Sequence, residues 1–178
     1  MATVIHKPTF ISSMKLVMYM TSFEITGDEF VIPRDSMGPD TLSTSTYKSR
    51  ILALRGSGCA EVTGYGSKEC RAGELFPENN VDYPFPSGSD VRIVSRSDNA
   101  AFIGITPYPD KVLATDRIQL SSGDTYTVNQ GSLAVVLCDN FTVNGNASTD
   151  TYKILACQIS DAVVVAASHG QIIKFTAV

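Results

Sequence analysis

The chain has 178 residues, of which 43% are hydrophobic and 18% are charged, and its formal net charge is −4. This composition is typical of a globular protein and excludes a disordered chain. The sequence contains no cluster of Lys and Arg, which argues against a protein that binds nucleic acid through its phosphates. No apolar run approaches the length that spans a bilayer, so we predict no membrane partner.

The first 45 residues combine β-rich runs with a segment that has little to bury. KLVMYMTSFEIT and DEFVIP have the composition of strands, and residues 33–47 are rich in Pro, Gly, Ser and Thr. An isolated hairpin is only marginally stable in water. We therefore predict an N-terminal arm with short strands over residues 1–45 and a β-barrel domain over residues 46–178. We expect deletion of the arm to weaken assembly and to leave the barrel folded.

Short β-rich runs, bounded by Gly, Pro, Asn, Asp or Ser, continue to the end of the chain. They are RILALRG, VRIVS, AFIGIT, DRIQL, TYTV, LAVVL, YKILAC, AVVVAA and IIKF. Turn sequences such as SGD and VNGN separate several of them. No segment of ten or more residues has helical periodicity. The pattern predicts an all-β sandwich or barrel with antiparallel strands.

The loop GELFPENNVDYPFPSG, from Gly73 to Gly88, is rich in proline and aromatic residues. Aromatic side chains offer large apolar areas, and prolines lower the entropy cost of ordering a loop on a partner. The alternative is a loop that packs on its own barrel. From this loop and the arm, we name as candidate partner contacts Phe76, Pro77, Tyr83, Pro84, Phe85, Tyr19 and Phe23.

The stretch GDTYTVNQGSLAVVLC has glycines at Gly123 and Gly131. Their spacing resembles the second motif of the cupin superfamily, which is Gly, five residues, Pro, one residue, Gly, two residues, His, three residues, Asn. Its Pro, His and Asn positions hold Asn129, Ala134 and Cys138 here. The resemblance implies an antiparallel jelly-roll or cupin-like barrel over residues 116–176. The glycines serve turns that need a positive φ, and the metal ligand is missing.

Histidine is scarce in the sequence, which contains only His6 and His169. A cupin metal site needs several imidazoles that converge on one ion, so we predict no metal and no cofactor. A weaker copy of the same pattern begins at Gly73, continues with PSG at residues 86–88, and has Val91 at its His position. It indicates either a duplicated half or the usual placement of turns in jelly rolls.

The four cysteines are Cys59, Cys70, Cys138 and Cys157, and none forms a CxxC pair. MKLVMYM near the N-terminus lacks the features of a signal peptide, so we expect a cytoplasmic chain with small buried thiols. The sequence leaves open a nucleophilic pair of Cys138 with His169. Burial of Cys138 at the end of an apolar strand is the favoured interpretation, with His169 as an exposed turn residue.

Three classes of function are compatible with these features. The first is a non-enzymatic structural protein of a virion. A jelly roll without metal ligands, an N-terminal arm, low charge and the lack of a catalytic motif are similar to capsid decoration (cement) proteins and small fibre proteins of tailed bacteriophages. The similarity implies a homo-oligomer, most often a trimer, that contacts the major capsid protein or other virion proteins. It also implies assembly in the host cytoplasm and a final location in the virion.

The second class is a carbohydrate- or receptor-binding module, since jelly rolls also occur in lectins. Tyr83, Phe85 and Tyr108 would form its aromatic platform, and the absence of Trp argues against it. The third class is a metal-free cupin enzyme such as an isomerase, which would need a catalytic base, usually His, in the barrel. We predict that the chain is a structural protein and not an enzyme.

Overall fold

The computed structural model describes residues 2–4, 9–11, 18–25, 30–32, 50–62, 66–76, 91–97, 100–107, 113–156 and 160–177. The strands in these ranges are Ala2–Val4 (β1), Thr9–Ile11 (β2), Met18–Ile25 (β3), Phe30–Ile32 (β4), Arg50–Arg55 (β5), Ser57–Val62 (β6), Gly66–Arg71 (β7), Leu75–Phe76 (β8), Val91–Ser95 (β9), Ala100–Pro107 (β10), Leu113–Leu120 (β11), Thr125–Val128 (β12), Leu133–Cys138 (β13), Phe141–Val143 (β14), Asn146–Ala147 (β15), Tyr152–Ala156 (β16), Ala162–Ala166 (β17) and Gly170–Ala177 (β18). Within the described ranges, no helix is long and apolar enough to cross a membrane.

Contacts divide the chain into two compact units. The first contains residues 1–11, 17–113 and 177–178, and the second contains residues 12–16 and 114–176. The predicted boundary at residue 45 lies outside the described residues. The division into an arm and a barrel domain therefore stays a prediction.

The second unit consists of two antiparallel four-stranded sheets. Their strand orders are β11-β18-β13-β16 and β12-β17-β14-β15. Eight strands arranged in this way form a jelly roll. The continuous apolar run of β13 is buried along its whole length, whereas β17 alternates between buried and exposed residues. The predicted all-β, antiparallel jelly-roll fold is confirmed.

The first unit contains a six-stranded and a four-stranded sheet. The larger sheet has the order β1-β3-β10-β5-β8, with β2 also paired to β3, and the smaller has the order β4-β9-β6-β7. Strands β5 and β10 are buried over most of their described side chains. Their apolar runs, RILALR and AAFIGITP, explain this position, because a strand covered on both faces needs no polar alternation.

The two units have the same topology. Each sheet order of the second unit becomes a sheet order of the first when eight is subtracted from every strand number. The chain is therefore a tandem of two jelly rolls, to which β1 and β2 are additional. The sequence repeat that begins at Gly73 does not align the two units, because Gly73 precedes β8 whereas Gly123 precedes β12, the counterpart of β4.

Strand β3 lies inside the predicted N-terminal arm. It pairs with β10 over eight residues, from Ala100 opposite Ile25 to Pro107 opposite Met18. Deletion of residues 1–45 would remove this strand from the sheet and leave β10 as an edge. Because of this pairing, the deletion is expected to unfold the first unit, contrary to the expectation from the sequence that the barrel stays folded.

Candidate functional site

The interior of the second jelly roll is the place where a cupin-like barrel would hold its ligands. Its core consists of buried apolar and thiol side chains, with Ile118 and Tyr126 packed against them. The buried members are Leu120, Val128, Ala134, Val136, Cys138, Phe141, Val143, Leu155, Ala162, Val164, Ala166 and Ile172. Ala134, at the His position of the motif, is 0% exposed. Packing of this kind leaves no constellation of polar side chains among the described residues of this interior.

These residues do not fit a metal centre. Zinc, iron and nickel sites in proteins use several imidazole, carboxylate or thiolate ligands around one ion, and the described part of the second unit's core offers one thiol. In the described ranges as a whole, no group of three or more His, Cys, Asp or Glu side chains could hold a metal ion. No catalytic step through a metal can be derived from such an interior.

The motif glycines serve backbone turns, as predicted. Gly123 has a φ of 93° and Gly131 a φ of 84°, and both lie at turns that flank β12. This region of φ favours glycine because it lacks a Cβ. The cupin-like spacing therefore reports on the turns of the fold and carries no information about ligands.

Cys138 and His169 do not form a nucleophilic pair. Cys138 is buried in the core, whereas His169 is exposed in the turn between β17 and β18. The Cys138 thiol lies 3.2 Å from the carbonyl oxygen of Asn140 and 3.3 Å from Oγ of Ser168. A buried thiol held by a carbonyl and a hydroxyl is a packing group, and the predictions for both residues are confirmed.

The first unit contains two thiols in different environments. Cys70 is buried, and this burial raises its pKa to about 11, so the thiol is neutral and unreactive at ordinary pH. Cys59 is half-buried and pairs with Glu69 across β6 and β7. Arg96 forms an exposed ion pair with Glu69, with an N–O distance of 2.9 Å. The Glu69 carboxylate raises the pKa of Arg96 through this hydrogen bond.

The candidate partner contacts have different outcomes. Phe76 is 6% exposed in the short strand β8, which pairs with β5. It is a core residue of the first unit, and its interpretation as an exposed contact is corrected, because it lies directly opposite the buried Ile51 in this strand pair. Tyr19 and Phe23 lie on β3, where only the backbone is described. The other candidates lie outside the described residues, namely Pro77, Tyr83, Pro84 and Phe85.

An exposed sheet face in the second unit is a feature that the sequence did not reveal. We call the outward positions of β12, β14 and β17 the neutral face; they are Thr125, Thr127, Thr142, Val163 and Val165. Val163 and Val165 are 39% and 37% exposed. The run AVVVA is apolar at every position, so no alternation indicates which of its side chains point outward.

Comparisons with known proteins identify the fold. No protein-family model matches the chain, and no curated protein matches it. Among solved structures, bacterial pirin YhhW from Escherichia coli in complex with nickel(II) matches with a TM-score of 0.54 and 12% identity, over 96% of this chain and 85% of that one. Salicylate 1,2-dioxygenase from Pseudoaminobacter salicylatoxidans matches with a TM-score of 0.50 and 9% identity, over 93% and 71%.

A Cupin 2 conserved barrel domain protein from Leptotrichia buccalis also matches, with a TM-score of 0.49, 11% identity and coverage of 90% and 84%. At such identities the likeness concerns architecture, and the nickel and the dioxygenase activity belong to those proteins. The chain has an all-β, cupin-like jelly-roll fold.

Proposed function

We propose that this chain is a non-enzymatic structural protein that acts through its surfaces, as a capsid decoration protein of a tailed bacteriophage. One observation carries the proposal. The interior of the second jelly roll, where a cupin-like enzyme would bind metal and substrate, is filled by a core of apolar side chains around Ala134. For this barrel, function is then expected at the exterior, since a packed core of this kind is a scaffold.

The exterior has properties that suit assembly. Only 18% of the residues are charged, and interface cores are depleted in charged residues. The neutral face exposes two valines among threonines on a regular sheet. The capsid as partner follows from the sequence resemblance to decoration proteins.

Metal content and capsid binding together test the proposal. The full chain, expressed with added Ni, Fe, Mn and Zn, is expected to contain no stoichiometric metal by mass spectrometry. It is expected to pellet with capsids that lack their decoration protein, and to protect them against heat. A stoichiometric metal, or failure to pellet with any capsid of its own virus, would overturn the proposal.

A matched pair of variants locates the contact in the capsid experiment. Tyr83→Ala with Phe85→Ala removes two aromatic candidates from the proline-rich loop. Gln119→Ala with Thr176→Ala changes two exposed strand positions of the second unit and serves as the control. We expect weaker pelleting for the first variant alone. Specific binding on a glycan array, lost in the same variant, would instead support a carbohydrate-binding module.

A further inference from the structure

The neutral face forms a continuous surface on the second unit. Thr125 lies opposite Val165, and Thr127 lies opposite Val163, in the pairing of β12 with β17. Thr142 lies opposite Val165 on the other side of β17. Directly paired residues of neighbouring strands share one face of the sheet, with Cβ atoms about 5 Å apart. Val165 therefore lies between two threonines, and Val163 lies beside one.

The four strands of this sheet contain no charged residue. Their sequences are TYTV, FTV, NA and AVVVA. Exposed strands of soluble proteins usually carry charges, which prevent association. A sheet that faces water without any charge, and that exposes valines at its centre, is a candidate interaction surface.

The first unit provides an internal comparison. Strand β7, the counterpart of β15, has the sequence GSKECR. Its Glu69 is exposed and forms the ion pair with Arg96. The sheet β4-β9-β6-β7 of the first unit therefore carries charged residues, whereas the strands of its counterpart in the second unit, β12-β17-β14-β15, carry none. The jelly-roll fold does not require the neutral face, and its lack of charge needs another reason.

We propose that the neutral face binds the same face of a second copy of this chain. The net charge of the chain is −4, so two copies repel each other over most orientations. Exposed carboxylates occur near the ends of the strands, at Asp124, Asp139 and Asp161. The neutral face allows two copies to meet over a surface that brings no carboxylates into direct opposition at its centre. This inference rests on the proposed structural role and adds to it that the chain associates with itself.

The shape of the face suits a two-fold contact. Sheets that pack face to face lie about 10 Å apart, with interdigitating side chains. Valine and threonine are β-branched and stiff, so little side-chain entropy is lost on docking. In a two-fold arrangement each residue meets the same patch of the other copy, and one apolar centre becomes complementary to itself.

The size of the face sets the strength of the contact. The four strands have two to five residues each and cover about 200 Å² per copy. Stable interfaces bury about 800 Å² per partner. We therefore expect a weak dimer, with a Kd of about 0.1–1 mM for this contact alone. Such a contact becomes effective when copies are held close together by another partner.

Sedimentation equilibrium of the full chain over a wide concentration range tests the proposal. Wild type should show a mass that rises with concentration, and Val163→Glu with Val165→Glu should weaken this association at least tenfold, because it places like charges opposite each other. Val163→Thr with Val165→Thr keeps the β-branched shape and should weaken it less. Gln119→Glu with Thr176→Glu adds the same charge at exposed positions of the other sheet and should behave as wild type with respect to association.

Circular dichroism and thermal melting show whether each variant is folded. If the glutamate variant is unfolded, the threonine variant still tests the contact. Association should strengthen with salt, because salt screens the carboxylates around the face. A wild-type chain that stays monomeric at millimolar concentration would overturn the proposal. An oligomer that neither the glutamate nor the threonine variant weakens would overturn it as well, while leaving an oligomeric structural role intact. Bound metal would count against the proposed function alone.

Discussion

Ser97 and Ser168 occupy the same position in the two jelly rolls and make the same hydrogen bond. Oγ of Ser97 accepts from the backbone N–H of Ser57 at 2.9 Å, and Oγ of Ser168 accepts from that of Asn140 at 3.1 Å. The residue before each serine also bonds to the same partner: the N–H of Arg96 donates to the carbonyl oxygen of Ser57, and that of Ala167 to the carbonyl oxygen of Asn140. Each jelly roll therefore has the same hydrogen-bonded corner. In the first unit it joins the segment after β9 to the start of β6, and in the second it joins the segment after β17 to the start of β14.

Removal of either hydroxyl should destabilise its unit to a similar extent. We expect Ser97→Ala and Ser168→Ala each to lower the free energy of unfolding by about 0.5–1.5 kcal/mol, since each leaves a backbone N–H without its acceptor. Urea denaturation followed by circular dichroism measures the change, with Thr176→Ala at an exposed position as the control. A loss for one serine and none for the other would show that the two corners are not energetically equivalent.

Asn144 lies in the turn between β14 and β15 and joins this turn to Val163 of β17 through both its backbone and its side chain. Its φ is 51°, its N–H donates to the carbonyl of Val163 at 2.8 Å, and its Oδ1 accepts from the N–H of Val163 at 2.8 Å. Asn144→Ala should cost about 2 kcal/mol, because it loses the acceptor and strains the backbone. Asn144→Asp keeps the acceptor and tolerates positive φ, so chemical denaturation should place it near wild type. Equal losses for the two variants would contradict this account.

Gly131 and Gly170 are needed for different physical reasons. Gly131 has a φ of 84° and open space where a Cβ would lie, so Gly131→Ala should cost about 1–2 kcal/mol of backbone strain. A Cβ on Gly170 would lie 2.5 Å from the carbonyl oxygen of Leu137 and 2.9 Å from Cα of Cys138. Gly170→Ala must push β13 and β18 apart, at a cost of about 1–3 kcal/mol.

Substitution by asparagine separates the two causes. Asparagine tolerates positive φ better than alanine does, so Gly131→Asn should recover part of the stability that Gly131→Ala loses. Gly170→Asn should recover none, because its Cβ meets the same backbone atoms. Thermal melting of the four variants gives the comparison, and recovery at Gly170 would contradict the steric explanation.

The sequence identifies most of this fold because its strongest signals are local. The continuous apolar runs in β5 and β13 indicate buried strands, and VNGN indicates the hairpin turn at Asn144, where the backbone has the expected positive φ. Strands β6 and β7 were not predicted, since GSGCAEVTGYGSKECR is rich in glycine and polar residues. Strand β6 pairs with β9, about thirty residues away, and β7 pairs with β6 at the edge of the sheet. Local composition does not contain the pairing with β9.

The tandem arrangement and the neutral face could not be predicted from the sequence. The two units share their strand order, whereas the glycine pattern that suggested a repeat falls on strands that are not equivalent. Likewise, β3 was assigned to an arm because its partner β10 lies about 75 residues later. The outward side of AVVVA depends on which strands flank it, so Val163 and Val165 could be found only from the register of the sheet.

Cys70 should make the stability of the first unit fall at alkaline pH. Burial raises the pKa of its thiol from 9.0 to about 11. Below pH 9 the thiol is protonated in both the folded and the unfolded state, and its contribution to stability is fully present. Between pH 9 and 11 the thiol ionises in the unfolded state alone. Stability is therefore lost as the pH rises through the folded pKa. With allowance for solvent screening, we expect a loss of about 1–2 kcal/mol over this window.

Comparison with Cys70→Ala isolates this effect. The variant is less stable at neutral pH because it loses packing, and its stability should decline less between pH 9 and 11. Alkylation at pH 8, followed by peptide mass spectrometry, should modify the half-buried Cys59 before Cys70. Equal alkylation rates for the two thiols would contradict the burial of Cys70.

Ala134→His tests whether the barrel retains a hidden capacity for metal. Ala134 lies opposite Leu155 in the pairing of β13 with β16, and both side chains belong to the apolar core. An imidazole there has no room and no polar partner, so we expect a loss of about 3 kcal/mol or more. Among the described core residues, Cys138 is the other potential ligand, and two ligands do not make a protein metal site. Thermal melting of Ala134→His with and without Ni or Zn should therefore show a lower Tm that added metal does not restore. The control, Thr176→His at an exposed strand position, should leave the Tm unchanged. Recovery of the Tm together with stoichiometric metal would show that the interior still has the geometry of a metal-binding cupin.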